Sequence, residues 1–333
     1  MRLQKLVIQI PCYNEVESLE ETLRSLPGSV AGFEKVEVLV IDDGSTDGTA
    51  ELATRLGVDH VICLNGHQGL AKAYITGIRA SVQFGASVIV NTDADNQYCA
   101  DDIERLVEPI LAGNADIVVG ARRISSIMHF SPLKRLLQRF GSWVVRRVSH
   151  TAVSDATSGF RAITRDAACR LNVFSGYTYT LETIIQAGLS NMRVVDVLIR
   201  INGPTRPSRL IRTIPSYIFR SIATMMSLYI LYRPVHLFGT LGIAFLAPAL
   251  FLAGRFVLLA IAGESAGHLH SVVVSGILVA AGLLSLAAGI ISYLCSVNRR
   301  MLEELSYRER LREPTTTHGA RIIDTPRREA LHT

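Results

Sequence analysis

Two apolar stretches near the C-terminus, Val235–Ala262 and Val272–Val297, constrain this chain more than any other feature of it. Each exceeds the ~20 residues a helix needs to cross the hydrocarbon core of a bilayer. Soluble domains rarely bury helices of that length and uniformity, so the pattern predicts two membrane-spanning helices. The connector Gly263–His270 holds no Lys or Arg, whereas Arg233 precedes the first stretch and Arg299 and Arg300 follow the second. Positive charge is retained on the cytosolic side, so both termini are expected there, with a short loop outside. Arg255 interrupts the first stretch and would either snorkel to the far interface or pair within a bundle.

The hydrophobic share of 49% is concentrated in these stretches, because residues 1–205 read as an ordinary globular mixture. Just upstream, Leu210, Ile214, Ile218, Ile222, Met225 and Tyr229 recur at helical spacing, with Arg209, Arg212 and Arg220 elsewhere around the turn. Pro215 splits the segment into two helices. It could pack on a domain core, but its place before an apolar span favours helices lying in the membrane interface. The expected layout is a cytosolic catalytic domain at 1–207 and interfacial helices at 208–233. Spans follow at 234–263 and 271–298, joined by an external loop at 264–270, with a cytosolic tail at 299–333. The charged, Thr- and Pro-containing tail after Met301 is expected to extend the helix and then lose order.

The N-terminal apolar run Lys5–Ile10 is too short for a signal peptide. The five cysteines are scattered without a C-x-x-C pair, which disfavours a disulfide framework or zinc site and suits a reducing compartment. A net charge of +5 suits an anionic substrate or membrane face. With two spans present, that charge is assigned to phosphates and headgroups, not to nucleic acid.

Within the first two hundred residues, strand-like runs at Leu6–Ile10, Val36–Ile41, His60–Leu64, Ser87–Asn91 and Asp116–Val119 alternate with helical patterns. The helical patterns are Glu15–Leu26, Thr49–Leu56, Leu70–Phe84 and Asp101–Leu111. Such alternation predicts an α/β domain whose mainly parallel sheet is covered by helices on both faces. Ligands of such sheets sit at the carboxyl ends of the strands, where the polar clusters of this sequence fall.

One cluster is Asp42-Asp43-Gly44-Ser45-Thr46-Asp47-Gly48-Thr49. Its acids can accept hydrogen bonds from a nucleotide's base and ribose, although Ser45, Thr46 or Asp47 could instead cap the next helix. Another is Asn91-Thr92-Asp93-Ala94-Asp95-Asn96-Gln97. Asp93 and Asp95 alternate, so on a strand their side chains project to the same side, and two adjacent like charges call for a cation. Carboxylate oxygens suit Mg²⁺ or Mn²⁺, which readily share coordination with a diphosphate.

Together with Pro11-Cys12-Tyr13-Asn14-Glu15, the order and spacing of these clusters resemble the family 2 glycosyltransferases of GT-A (Rossmann-like) fold, over about residues 5–210. The likeness is greatest to dolichyl-phosphate mannose synthases and polyprenyl-phosphate glucosyltransferases. It implies that Pro11, Tyr13, Glu15, Asp42 and Asp43 hold the donor nucleotide, with Asp93 also contributing there, and that Asp93, Asp95 and Gln97 bind the metal. Asn96 stands where the family often has Leu. Gly120-Ala121-Arg122 resembles the family's Gly-Ser-Arg, and Lys134-Arg135-Leu136 its following basic segment, so Arg122, Arg135 and Arg139 would clamp a lipid phosphate. Alternatively, Arg135 and Arg139 belong to a solvated helix face with Arg146 and Arg147. Asp155-Ala156-Thr157-Ser158-Gly159-Phe160-Arg161 resembles the Asp-x-x-Ser-Gly-Phe element, with Asp155 orienting an arginine or the donor sugar. Ser208-Arg209-Leu210 stands in place of Ser-Lys-Leu, so Arg209 would contact the diphosphate.

The implied reaction transfers a sugar from a GDP- or UDP-linked donor to a polyprenyl or dolichyl phosphate, with inversion. An ionised phosphate oxygen needs no strong general base, in keeping with the lack of an evident His/Asp pair; His67 is read as a donor-pocket or structural residue. A homo-oligomer, a tetramer by resemblance, is expected. Three rival readings remain: a polysaccharide synthase, transfer to another membrane lipid such as a diacylglycerol, and an inactive membrane scaffold. The first lacks its Gln-x-x-Arg-Trp motif, since the only tryptophan is Trp143, and an intact Asp93/Asp95 pair disfavours the last. No Walker-type phosphate loop is present.

Overall fold

A computed structural model describes residues 3–122, 143, 145, 146, 149, 151–173, 179–202, 223, 226, 227, 229, 230, 234–263, 269–312 and 320–324. These divide into one unit of residues 1–225 with 306–333, and a second of residues 226–305.

The first unit is built on strands β1 (Leu3–Cys12), β2 (Phe33–Asp42), β3 (His60–Leu64), β4 (Val88–Asn91), β5 (Ile117–Arg122), β6 (Arg161–Thr164), β7 (Val194–Ile199) and β8 (Ala320–Asp324). Their order across one sheet is β7-β5-β6-β4-β1-β2-β3-β8. Strands β4, β1, β2 and β3 are mutually parallel. β6 is inserted antiparallel between β4 and β5, and β7 returns parallel to β5. The chain order therefore reverses between β1 and β4, which is where such sheets open a crevice at the strands' carboxyl ends.

Strand β1 explains the central position. Leu6, Val7, Ile8 and Ile10 are all fully buried, as expected of a strand covered on both faces. Gln9 is buried among them and donates from Nε2 to Asn91 Oδ1 at 2.8 Å, so its N–H is answered across the sheet, whereas its Oε1 has no hydrogen-bond partner among the described residues. Helices α1 (Val16–Ser25), α2 (Thr49–Arg55), α3 (Leu70–Gln83) and α4 (Ile103–Leu111) follow the first four strands. Helices α5 (Arg165–Arg170) and α6 (Thr180–Leu189) also belong to this unit.

Strands β1 to β5 fall where the apolar runs predict them. The tail requires a correction: Ala320–Asp324, expected to lack order, pairs antiparallel with β3. Arg321-Ile322-Ile323-Asp324 carries a β-branched pair, Ile323 packs against the core, and the exposed edge of β3 offers it a ladder. The predicted helical extension is present, since α8 (Leu269–Arg312) runs past the apolar segment. There Tyr307 donates to Asp166 of α5 and carries the Arg170 guanidinium 4.5 Å above its ring.

The second unit contains α7 (Pro234–Ile261) and most of α8. Pro234–Ile261 and His270–Arg299 are long and apolar enough to cross a membrane. Ser275 Oγ donates to the Ala249 carbonyl at 2.8 Å and Ser285 Oγ to that of Phe238 at 3.0 Å. The pairs run in opposite order, so the helices form an antiparallel hairpin. A Cβ on Gly242 would lie 2.8 Å from Leu286, and one on Gly282 2.6 Å from Leu246, the close approach that small residues permit between membrane helices. Leu250, Leu284 and Ile261 are exposed around it, as is Arg255. Most of the expected interfacial segment Ser208–Leu231 lies outside the described residues.

Candidate functional site

The carboxyl ends of β1 and β2 are stitched into one surface by short polar bonds. The Asn14 amide donates to Ser45 Oγ at 2.8 Å, the Thr46 amide to Asn14 Oδ1 at 2.9 Å, and the Glu15 amide to Thr49 Oγ1 at 2.9 Å. Asp47 accepts from Val16 N and Thr49 N, both at 3.1 Å, and so caps the first turns of α1 and α2 together. The capping role weighed for this cluster thus belongs to Asp47. Asp42 ends β2, buried, and accepts from Ser45 N at 3.2 Å. Burial raises its pKa above the ordinary carboxylate value. Pro11 lies within β1 opposite Ile41, and Glu15, also buried, accepts from Ser18 Oγ at 3.0 Å.

Asp43 is committed differently. Its oxygens accept from Gln68 N and Gly69 N, each at 2.8 Å, and Oδ2 lies 2.8 Å from His67 Nδ1. The His67 ring stacks on Tyr13 with centroids 3.9 Å apart. Gly44, at φ +72°, makes this possible: a Cβ there would come within 2.5–2.8 Å of the Gly66 and His67 backbone. A His/Asp pair therefore exists, contrary to the sequence expectation. It was hidden because its members follow different strands, β2 and β3.

Asp93 and Asp95 follow β4. The strand ends at Asn91, so a turn and not strand alternation brings them together. Burial, then the negative charge of Asp95, push the Asp93 carboxyl up to about 7 against the opposing pull of Arg122. Gly159 lies against it: a Cβ there would be 2.9 Å from Asp93 Oδ1 and 3.0 Å from the Tyr179 hydroxyl. Asn91 Nδ2 donates to the Gly159 carbonyl at 2.8 Å and to the Tyr179 hydroxyl at 3.1 Å, and Gly159 N donates to the Tyr98 hydroxyl at 3.1 Å. The loop carrying Asp93 and Asp95 is held on its other side too. Gln97 N donates to Asp95 Oδ1 at 3.2 Å, and the Gln97 carbonyl accepts from Asn202 N at 2.9 Å. Asn96 adopts φ +52°, and its carbonyl accepts from Asn202 Nδ2 at 2.9 Å. Asparagine tolerates this left-handed backbone better than Leu does.

The residues present suit a hard divalent cation, since Asp95 lies close enough for its charge to raise the Asp93 carboxyl. Among the described residues no three His, Cys, Asp or Glu side chains form a metal cluster, so a cation here would draw further oxygens from its substrate.

At the end of β5, Arg122 is held by Asp155. Nε donates to Oδ2 at 2.7 Å and Nη2 to Oδ1 at 3.2 Å, while Nη2 also reaches Thr157 Oγ1 at 3.0 Å. Asp155 is fully buried. Burial alone would raise its pKa, but the charge and hydrogen bonds of Arg122, with those of Thr157, hold it below the ordinary value. Burial likewise opposes the charge on Arg122, and nearby Tyr98, Asp155 and Asp93 reverse the balance and raise its pKa. Arg161, unassigned by sequence, is fully buried; it donates to the Ser158 and Ala156 carbonyls at 2.9 and 3.0 Å and braces the turn that carries Asp155. Arg135, Arg139 and Arg209 lie outside the described residues.

The sequence matches Glycosyl transferase family 2 over residues 7–171. It is 32% identical over 198 residues to an undecaprenyl-phosphate mannosyltransferase of Micrococcus luteus, spanning 56% of this chain and 79% of that protein. It is 30% identical over 205 residues to a polyprenol monophosphomannose synthase of Mycolicibacterium smegmatis, spanning 58% and 76% respectively. Among solved structures, glucosyl-3-phosphoglycerate synthase of Mycobacterium tuberculosis with Mn²⁺, UDP-glucose and phosphoglyceric acid superposes with a TM-score of 0.52. That match covers 67% of this chain and 79% of the other at 20% identity, a likeness of fold.

Proposed function

The chain belongs to the family 2 glycosyltransferases, and from that premise we propose that it moves a hexose from a nucleotide-diphospho-sugar to the phosphate of a polyprenyl or dolichyl lipid, with a divalent metal. The observation that carries this is a largely enclosed arginine, Arg122, braced by Asp155 and near enough to the Asp93–Asp95 pair for Arg122 and Asp93 to shift each other's titration. An anion-binding group beside a cation-binding one suits a reaction that brings an ionised phosphate to a sugar whose leaving group is a diphosphate. The acceptors in the names of the M. luteus and M. smegmatis relatives support a polyprenyl phosphate and favour mannose as the sugar. The two apolar helices suit a substrate dissolved in lipid.

In this proposal Asp93 and Asp95, with Gln97 as a third candidate, hold Mg²⁺ or Mn²⁺, which would offset the charge developing on the departing diphosphate. Pro11, Tyr13, Glu15 and Asp42 form the donor surface, with Arg209 toward the diphosphate; Asp43 shapes that surface by fixing the loop at 67–69. Arg122 fixes the acceptor phosphate, with Arg135 and Arg139 as its partners, and Asp155 keeps the guanidinium in place. Attack by a phosphate oxygen on the anomeric carbon breaks the bond to the diphosphate in one displacement, which inverts that centre. The ionised phosphate retains no proton that must be removed, so no side-chain base takes part. The charge asymmetry around the helices supports a cytosolic catalytic domain (1–207), interfacial segment (208–233) and tail (299–333), and the family likeness supports a homo-oligomer.

The test is transfer of radiolabelled sugar by the full-length protein in detergent, from GDP-mannose and a panel of UDP- and GDP-hexoses, to undecaprenyl phosphate or to diacylglycerol. Label in the phosphate lipid alone is expected. Label in diacylglycerol alone would overturn the acceptor assignment.

A further inference from the structure

We propose that His67 reads the donor's nucleobase and selects bases that present an N–H donor at their pairing edge, uracil and guanine, over cytosine and adenine. The inference rests on the donor reading above and deepens it.

The geometry fixes both the place of the imidazole and its hydrogen-bonding character. His67 stands after β3, beside the end of β1, at the carboxyl side of the sheet where such folds take their ligands. One face is stacked on Tyr13 at 3.9 Å, which leaves no room for a base between the two rings. A base that engages this imidazole therefore meets its exposed part, and half of that side chain, 51%, is exposed. Asp43 is only 3% exposed at its side chain and acts as an acceptor throughout, taking Gln68 N, Gly69 N and His67 Nδ1 at 2.8 Å each. A carboxylate acceptor at Nδ1 places the proton there, and in a neutral ring Nε2 is then an acceptor. No described hydrogen bond engages Nε2.

An acceptor at that position complements the imide N–H of uracil or the N1–H of guanine. Cytosine N3 and adenine N1 are acceptors themselves and would oppose it lone pair to lone pair. Asp43, with its oxygens engaged by the loop, acts on the base through His67.

The test is calorimetric binding of UDP, GDP, CDP and ADP to the full-length protein in detergent with Mn²⁺, at about pH 8, where an imidazole is ordinarily neutral. Wild type is expected to favour UDP or GDP over CDP and ADP by about tenfold, one hydrogen bond's worth of discrimination. His67→Ala should reduce that preference to about twofold or less. His67→Asn separates reading from loop support: its side-chain N–H can still meet Asp43, but nothing replaces Nε2. It should lose the preference as His67→Ala does, while keeping the thermal stability of wild type. If His67→Asn keeps the preference, His67 is a loop support and the inference is overturned. Metal-dependent binding without preference among the four diphosphates also overturns it and leaves the proposed function intact. Failure of all four to bind, with or without metal, would instead overturn the donor reading itself.

Discussion

Replacing Asp155 by Asn tests the bracing of Arg122 in a way that separates stability from chemistry. Asp155 is fully buried and the Arg122 side chain is 11% exposed, so little solvent is available to compensate a lost partner. Removing one member of such a pair costs about 3–5 kcal/mol, because a charge is left buried and unmatched. Asn keeps one acceptor, which places the loss near ~3 kcal/mol. For a unit of this size that lowers the melting temperature by about 6–12 °C, readable by scanning fluorimetry of the full-length protein at neutral pH. The pH matters because Asp155 is depressed in the folded state. Its contribution is full above the unfolded value of about 3.9 and is lost as pH falls through the folded one. Coupling Arg122→Met with Asp155→Leu removes both charges and should recover most of the stability, yet sugar transfer should stay absent. An Asp155→Asn protein melting within ~1 °C of wild type and transferring sugar at the wild-type rate would refute the bracing role.

Other expectations follow from the same geometry. Because Asp93 is raised to about 7 by burial and by Asp95, a cation must displace a proton below that pH. Apparent Mn²⁺ affinity, followed by thermal stabilisation, should fall by up to about tenfold per unit below pH 7; equal affinity at pH 6 and pH 8 would contradict this. Gly159→Ala sets a methyl 2.9 Å from Asp93 Oδ1, which should weaken Mn²⁺ binding about tenfold or more while Asp155 and Arg122 keep their bonds. Wild-type metal affinity in that variant would show that the loop yields freely. Ile323→Asp puts a charge on the strand that covers the β3 edge and should destabilise the catalytic unit by about 1–3 kcal/mol. An unchanged melting temperature would mean that β8 adds nothing to the sheet.

Much of the fold was legible because its central strands are apolar runs bounded by turn residues, and β1 to β5 fall where those runs lie. β6 was not, for Arg161-Ala162-Ile163-Thr164 is four residues long and begins with an arginine whose burial is made tolerable by carbonyls three and five residues upstream and by the Thr183 hydroxyl on α6. β8 was obscured by the charged tail around it, since a two-residue apolar core signals a strand only when an edge awaits it. In the site, the Asp93–Asp95 spacing points to a cation, but alternation along a strand is not what brings the two together, because β4 stops at Asn91. The pairs Arg122–Asp155 and Asp43–His67 join residues 33 and 24 apart in sequence. No local pattern encodes them; they arise because β2, β3 and β5 deliver their carboxyl ends to one side of the sheet.

The most direct measurement is the Mn²⁺ dependence of sugar transfer to undecaprenyl phosphate by wild type and by Asp95→Ala, at matched thermal stability. Transfer that requires metal in wild type and vanishes in Asp95→Ala is the expected result. Transfer that survives chelation, or persists at the wild-type rate without the Asp95 carboxylate, would contradict a cation held beside an arginine-bound lipid phosphate.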